Sequence, residues 1–218
     1  MTAALAAAPL ALGVPARART GSGTIVELAA ATPELSTLVA AVQAAGFGIF
    51  FNQGEMCSAA SRLLVEDSIR EAFLEKLLAF ADTMQPGDPL DPATRMGAIV
   101  DKVQFDTVMN YIARGKEEGA TLRTGGSRVL EDTRGWFVPP TVFDDVDNQM
   151  SIAQEEIFGP VLSTIAFGSA EQALSLGNDV RYGLAAAVWI MIGPIFASLF
   201  FSPRFTIATF LLYDLCIV

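Results

Sequence analysis

Through residues 24–189, short strand-like runs alternate with segments of helical period, and nothing else in the 218-residue chain restricts its fold as much. Ile69, Phe73, Leu74, Leu77 and Leu78 fall on one face of a helix that Asp67 is placed to cap. A second helix is predicted from near Asp101, with Val108, Met109 and Ile112 on one stripe, and Gly119 suits its end. Strand-like runs follow at 120–123 and 136–143. Gly87-Asp88-Pro89 and Asp91-Pro92 mark turns. Ser169 with Gln172 makes a capping box for a short helix, and Asn178-Asp179 then turns the chain into 182–189. Strands separated by helices of this length predict an α/β fold, a largely parallel sheet flanked by helices, because parallel neighbours need a crossover connection.

Composition narrows the chemistry. Hydrophobic residues make up 52% of the chain and charged ones 17%, enough to bury a core and to argue against disorder over most of its length. A net charge of −10 argues against nucleic acid, which needs a Lys/Arg footprint. The chain has no histidine. Ser-His-Asp and Cys-His catalysis are therefore excluded, the commonest zinc ligand is missing, and no metal site is predicted. Two cysteines, Cys57 and Cys216, make no disulfide framework, and a reduced cytoplasmic setting follows.

Outside residues 24–189 the character changes. Residues 1–23 are an Ala-rich, poorly ordered extension; their apolar stretch lacks the positively charged start of a signal peptide. Residues 190–218 are an apolar, divergent tail. Residues 183–201 carry no charge and by hydropathy alone are just long enough for a membrane span.

Two segments carry chemistry. In Phe51-Asn52-Gln53-Gly54-Glu55-Met56-Cys57-Ser58-Ala59, a glycine-containing loop can present a thiol and its own backbone N–H toward a cleft. The alternative for Cys57 is a buried structural thiol. In Gln154-Glu155-Glu156-Ile157-Phe158-Gly159-Pro160-Val161, a carboxylate can accept bidentate bonds from ribose hydroxyls while Phe158 presses on a flat heterocycle. The alternative there is two solvated glutamates and a core phenylalanine.

Read together, the two segments are more specific. With Ser61-Arg62-Leu63-Leu64-Val65, Gly87-Asp88-Pro89, Gly125-Gly126, Pro140-Thr141-Val142-Phe143, and Asn178-Asp179 followed by Tyr182-Gly183-Leu184-Ala185-Ala186, they make residues 46–189 resemble the catalytic domain of the NAD(P)-dependent aldehyde dehydrogenase superfamily, in its order and spacing. The detail looks closest to the branch handling amino-aldehydes such as γ-glutamyl-aminobutyraldehyde. The resemblance implies oxidation of a small aldehyde to a carboxylic acid with NAD or NADP, by a homo-oligomeric protein. Cys57 matches the nucleophile, which passes through a thiohemiacetal and a thioester. Glu156 matches the residue holding the nicotinamide-side ribose, and Phe158 the one against the nicotinamide. Gln104 matches a further cofactor contact, its alternative being a solvated helix residue.

Departures from the family pattern follow. The general-base glutamate is matched by Glu27, in Glu27-Leu28-Ala29-Ala30, but both glycines of that segment are lost and its distance to Cys57 is about four residues short; the alternative for Glu27 is an exposed carboxylate at a helix start. No glycine fingerprint of a dinucleotide-binding half is present, and the sequence after Trp189 leaves the family pattern, as in a truncated or frame-shifted reading frame. If 183–189 is a buried strand, only the twelve residues 190–201 are newly apolar, and broken by Pro194 they are too short to cross a bilayer. The expectation is an aldehyde dehydrogenase-type chain inactive on its own. The alternatives are a catalytically dead binding or oligomerisation module, and a membrane-attached derivative.

Overall fold

Leu63, Leu64 and Val65 are apolar without interruption, as befits a strand covered on both faces. The computed structural model describes residues 33–184, 186–190 and 210–214, and in it this run is the centre of β1 (Arg62–Glu66). Leu63 and Val65 point into one apolar cluster and Leu64 into another, so the period-2 alternation of the strand divides the core into two layers.

The first layer is built by α1 (Pro33–Phe50) and α2 (Arg70–Asp82). Leu38, Ala41, Val42, Ala45 and Ile49 form the buried stripe of α1, and Phe73, Leu74, Leu77 and Ala81 that of α2. The two helices lie close because Gly46 faces Phe80, where a Cβ would sit 2.3 Å from a ring carbon. The second layer belongs to α3 (Lys102–Glu117) with α4 (Ser151–Gln154) and α5 (Ala170–Asn178). Asp101 caps α3, its Oδ1 accepting from Gln104 N–H at 2.8 Å, and Ser169 caps α5 through Gln172 N–H at 3.2 Å.

Between the layers runs a six-stranded sheet in the order β2-β3-β4-β1-β6-β5, comprising β2 (Thr121–Thr124), β3 (Thr141–Asp144), β4 (Val161–Phe167), β1, β6 (Phe210–Asp214) and β5 (Ala186–Ile190). The pairings β3–β4 and β4–β1 are parallel and form the centre of the sheet, while β2–β3, β1–β6 and β6–β5 are antiparallel. The α/β architecture expected from the alternation is present, with helices on both faces. Arg62, buried in β1, donates to Asn148 Oδ1 at 2.6 Å and to the Leu176 carbonyl at 2.8 Å, which ties the end of α5 to the central strand.

Several local expectations are corrected. Asp67 does not cap α2 with its side chain; the helix starts at Arg70 behind Ile69, and Asp67 contributes its backbone carbonyl to Arg70 N–H. The strand expected at 136–143 narrows to Thr141–Asp144, because Pro139 and Pro140 have no N–H to give a ladder. Trp136 and Phe137 make isolated bridges to Ile99 and Val129 instead. Within residues 190–218, expected from the sequence to be an apolar tail outside the family pattern, Phe210–Asp214 forms β6, paired with both β1 and β5. Residues 1–32 and 191–209 lie outside the described residues. No helix among the described residues is long and apolar enough to cross a membrane.

Candidate active site

The chain leaves α1 at Phe50 and turns sharply through a single 3-10 turn, Phe51–Gly54. Asn52, Gln53 and Gly54 have φ of 50°, 58° and 72°, three successive residues in the left-handed region. Only glycine takes that conformation freely, so Asn52 and Gln53 must be held by their surroundings. Asn52 Nδ2 donates to the Glu55 carbonyl and Glu55 N–H donates to the Asn52 carbonyl, which closes the turn on itself. The next turn runs from Met56 to Ala59, where Ala59 N–H donates to the Met56 carbonyl at 2.9 Å. Cys57 sits in this second turn and is exposed, so the alternative of a buried structural thiol is set aside.

Gly54 explains how this loop meets the second motif. A Cβ on Gly54 would lie 2.2 Å from the Gly159 carbonyl oxygen, and one on Gly159 would lie 2.4 Å from Val108 Cγ2 of α3. Two main chains distant in sequence therefore touch directly and stack on a helix, an approach that requires glycine at both positions.

The segment before Gly159 is equally constrained. Phe158 adopts φ 54°, strained for an aromatic residue, and its carbonyl accepts from Gln104 Nε2 at 2.8 Å. The same nitrogen donates to the Ile157 carbonyl at 2.9 Å. Gln104 is therefore not a solvated helix residue; its amide nitrogen holds the Ile157–Phe158 backbone. Nor is Glu155 simply solvated, since Tyr111 Oη donates to it at 2.5 Å. Burial first, then the bond to Glu155, pushes the Tyr111 phenol up to about 12. Ile157, rather than Phe158, is the apolar side chain fully buried here.

Glu156 differs from its neighbour. None of the described residues hydrogen-bonds or ion-pairs with its carboxylate, and burial raises its pKa above the ordinary carboxylate value. It lines a narrow crevice with Gly54, Met56, Ser61 and Phe158, immediately beside the Cys57 turn. Phe158, half-buried, also lines an open cleft of about 420 Å³ with Asn52, Gln53, Glu55 and Val100.

The structure thus brings together the Cys57 loop, Glu156 and Phe158, with Gln104 behind them. Glu27 lies outside the described residues, as does Cys216. Two polar side chains of the cleft are absent from the sequence-based reading, Gln53 and Glu55. Gln53 Oε1 accepts from Gly97 N–H at 3.0 Å and Glu55 Oε1 from Val100 N–H at 3.1 Å. Their place beside the motif glycine was the available signal. Among the described residues no group of three or more His, Cys, Asp or Glu is gathered as a metal would require.

Known proteins share this arrangement of sequence. The chain is 46% identical over 142 residues to aminoaldehyde dehydrogenase 1, peroxisomal, of Pisum sativum, an alignment covering 65% of this chain and 28% of that one. Among solved structures, the indole-3-acetaldehyde dehydrogenase AldA of P. syringae, in complex with NAD+ and IAA, superposes with a TM-score of 0.69 at 55% identity, over 70% of this chain and 31% of the other. A γ-glutamyl-γ-aminobutyraldehyde dehydrogenase from Burkholderia cenocepacia J2315 matches with a TM-score of 0.68 at 53% identity, over 70% of this chain and 30% of the other. The chain spans about three-tenths of the length of the relatives it matches. The model of the aldehyde dehydrogenase family matches residues 34–190, the same stretch that carries the Cys57 loop, Glu156 and Phe158, and the chain belongs to that family.

Proposed function

We propose that this chain carries the thiol and the nicotinamide-facing side of an NAD(P)-dependent aldehyde oxidation. The observation that carries the reading is the contact of Gly54 with Gly159, which sets an exposed cysteine beside a crevice containing an aromatic ring and a carboxylate that no described residue pairs with. Cys57, as thiolate, adds to the aldehyde carbon, and its own backbone N–H stabilises the oxyanion of the thiohemiacetal. NAD or NADP, when bound, supplies the hydride acceptor through which the thiohemiacetal carbon is oxidised to a thioester. The residues fit such a group. Glu156 has both oxygens available for two ribose hydroxyls, and Phe158 offers an aromatic surface held in place by Gln104. Water then releases the acid, with Glu27 in the role of general base.

The substrate class we infer is an amino-aldehyde. The support is the likeness to an aminoaldehyde dehydrogenase and to a γ-glutamyl-γ-aminobutyraldehyde dehydrogenase. The 218-residue polypeptide assayed alone is expected to give no measurable turnover. Its cleft is open to water and Cys57 is exposed, whereas orienting the two reactants supplies about 7–11 kcal/mol of such barriers.

Limiting iodoacetamide on the folded chain, with the adducts mapped, tests the reading at its first step. Cys57 is expected to be modified ahead of Cys216; preferential modification of Cys216 overturns it.

A further inference from the structure

The loop bearing Cys57 is fastened by its own side chains to a segment that the proposed chemistry leaves without a role. Gln53 reaches Gly97 N–H at 3.0 Å and Glu55 reaches Val100 N–H at 3.1 Å. From Val100 the chain passes straight to Asp101, the cap of α3, and to Gln104, which holds the carbonyls of Ile157 and Phe158. Gly159 then returns to Gly54, main chain against main chain. The result is a closed ring of contacts in which the cysteine loop and the Glu156–Phe158 segment are joined twice: directly through the glycines, and indirectly through residues 97–104.

The second connection is not a by-product of burial. Val100 is 74% exposed, so the bond is not imposed by burial of its side chain. Glu55 nevertheless gives up part of its hydration to accept that N–H. Burial pushes its pKa up, most strongly of all the influences on it, while the Val100 N–H pulls it back down. Gln53, its partner in the clamp, is one of the two non-glycine residues of this loop held in the left-handed region. A half-desolvated carboxylate and a strained backbone both cost stability, and both are spent on the attitude of this one loop.

We propose that Gln53 and Glu55 are positioning residues for Cys57. Accepting from the Gly97 and Val100 amides, they fix the loop so that the thiol turn stays beside the Glu156–Phe158 crevice. The proposal rests on the reading of Cys57 as the nucleophile. It assigns to these two side chains an action through the loop rather than contact with the reacting atoms.

The experiment is the site-mapped rate of Cys57 alkylation by iodoacetamide in the full chain, native and in urea, for the wild type, Gln53→Ala, Glu55→Ala and Glu55→Gln. A folded Cys57 that reacts no faster than in urea overturns the nucleophile reading, and with it the proposal. If the wild type shows the enhancement, Gln53→Ala and Glu55→Ala are each expected to lose about two- to tenfold of it, the factor one ordinary hydrogen bond supplies. Glu55→Gln keeps a carbonyl acceptor and is expected to retain it. Unchanged alkylation in both alanine variants overturns the positioning role while leaving the nucleophile standing, and so does a Glu55→Gln variant that falls as far as Glu55→Ala. Amide hydrogen exchange in the wild type covers the case in which a variant does not fold. Gly97 and Val100 are expected to exchange more slowly than free peptide amides, and exchange of Val100 at the free-peptide rate overturns the clamp.

Discussion

Replacing Gly54 by alanine tests the contact that joins the two motifs, and Gly119→Ala provides its control. Both glycines have positive φ, 72° at Gly54 and 101° at Gly119, so alanine is conformationally strained at either. They differ in what a methyl group meets. At Gly119 no described residue lies within 4 Å of an added Cβ, whereas at Gly54 the Gly159 carbonyl carbon and oxygen lie at 2.4 and 2.2 Å. Gly119→Ala should therefore show the backbone term alone, about 1–2 kcal/mol. Gly54→Ala adds an overpacking term of about 1–3 kcal/mol, because its neighbour is main chain and Gly159 is itself backed by Val108. Urea unfolding of the two variants reads the difference. With a slope of about 1–3 kcal/mol per molar, an extra 2 kcal/mol moves the midpoint by roughly 1 M. Cys57 alkylation should fall with Gly54→Ala and not with Gly119→Ala. If Gly54→Ala loses no more stability than Gly119→Ala, the two main chains are not in contact and the site as described does not exist.

Other expectations follow from single interactions. Glu156 has a folded-state pKa raised by burial, so its contribution to stability is fully present below the ordinary carboxylate value and is lost as pH rises through the folded value. Glu156→Gln should accordingly be more stable than the wild type at pH 7 and equal to it at pH 4, read by thermal unfolding. Tyr111→Phe removes the donor to Glu155 and should cost about 1–2 kcal/mol, with Glu155 left to find water; a change below the error of urea titration counts against that bond. Deleting residues 191–218 removes β6 and leaves β1 and β5 without their shared neighbour, so sedimentation should show more association than in the full chain. A monomeric, fully soluble truncated chain would argue that β6 is dispensable.

The elements that could be read from sequence are those whose burial is one-sided. The stripe of Phe73, Leu74 and Leu77 has one buried face, and Asp101 sits at a helix start where its carboxylate is needed, so both helices were legible. By contrast α1 escaped notice although its buried positions Leu38, Ala41, Val42, Ala45 and Ile49 follow a helical period. Much of that stripe is alanine, and the opposite face offers few charges to contrast with it. Pairing was legible only where connection lengths imply it. Helical crossovers imply that β1, β3 and β4 run parallel, but nothing local in Phe210–Asp214 says that it belongs between β1 and β5.

The same division runs through the site. The proposed roles of Cys57, Glu156 and Phe158 rest on side-chain types with their own chemistry, set in segments of distinctive spacing. Their mutual arrangement depends on groups that every residue has. Gly54 meets Gly159 through a carbonyl, Gln104 reaches two carbonyls, and Gln53 and Glu55 reach two amides. A sequence does not distinguish one backbone amide from another, so a glutamine or glutamate bonded to main chain carries no partner's signature elsewhere in the chain. The trace such contacts leave in the sequence is a glycine where a side chain would intrude, as at Gly54 and Gly159; the positive φ of Gln53 and Phe158 leaves none. The residues proposed to do chemistry are thus written in the sequence as types. Those that aim them become visible only when the two loops are seen against each other, and mutations at Gln53, Glu55 and Gln104 should therefore affect Cys57 reactivity more than their ordinary chemistry would suggest.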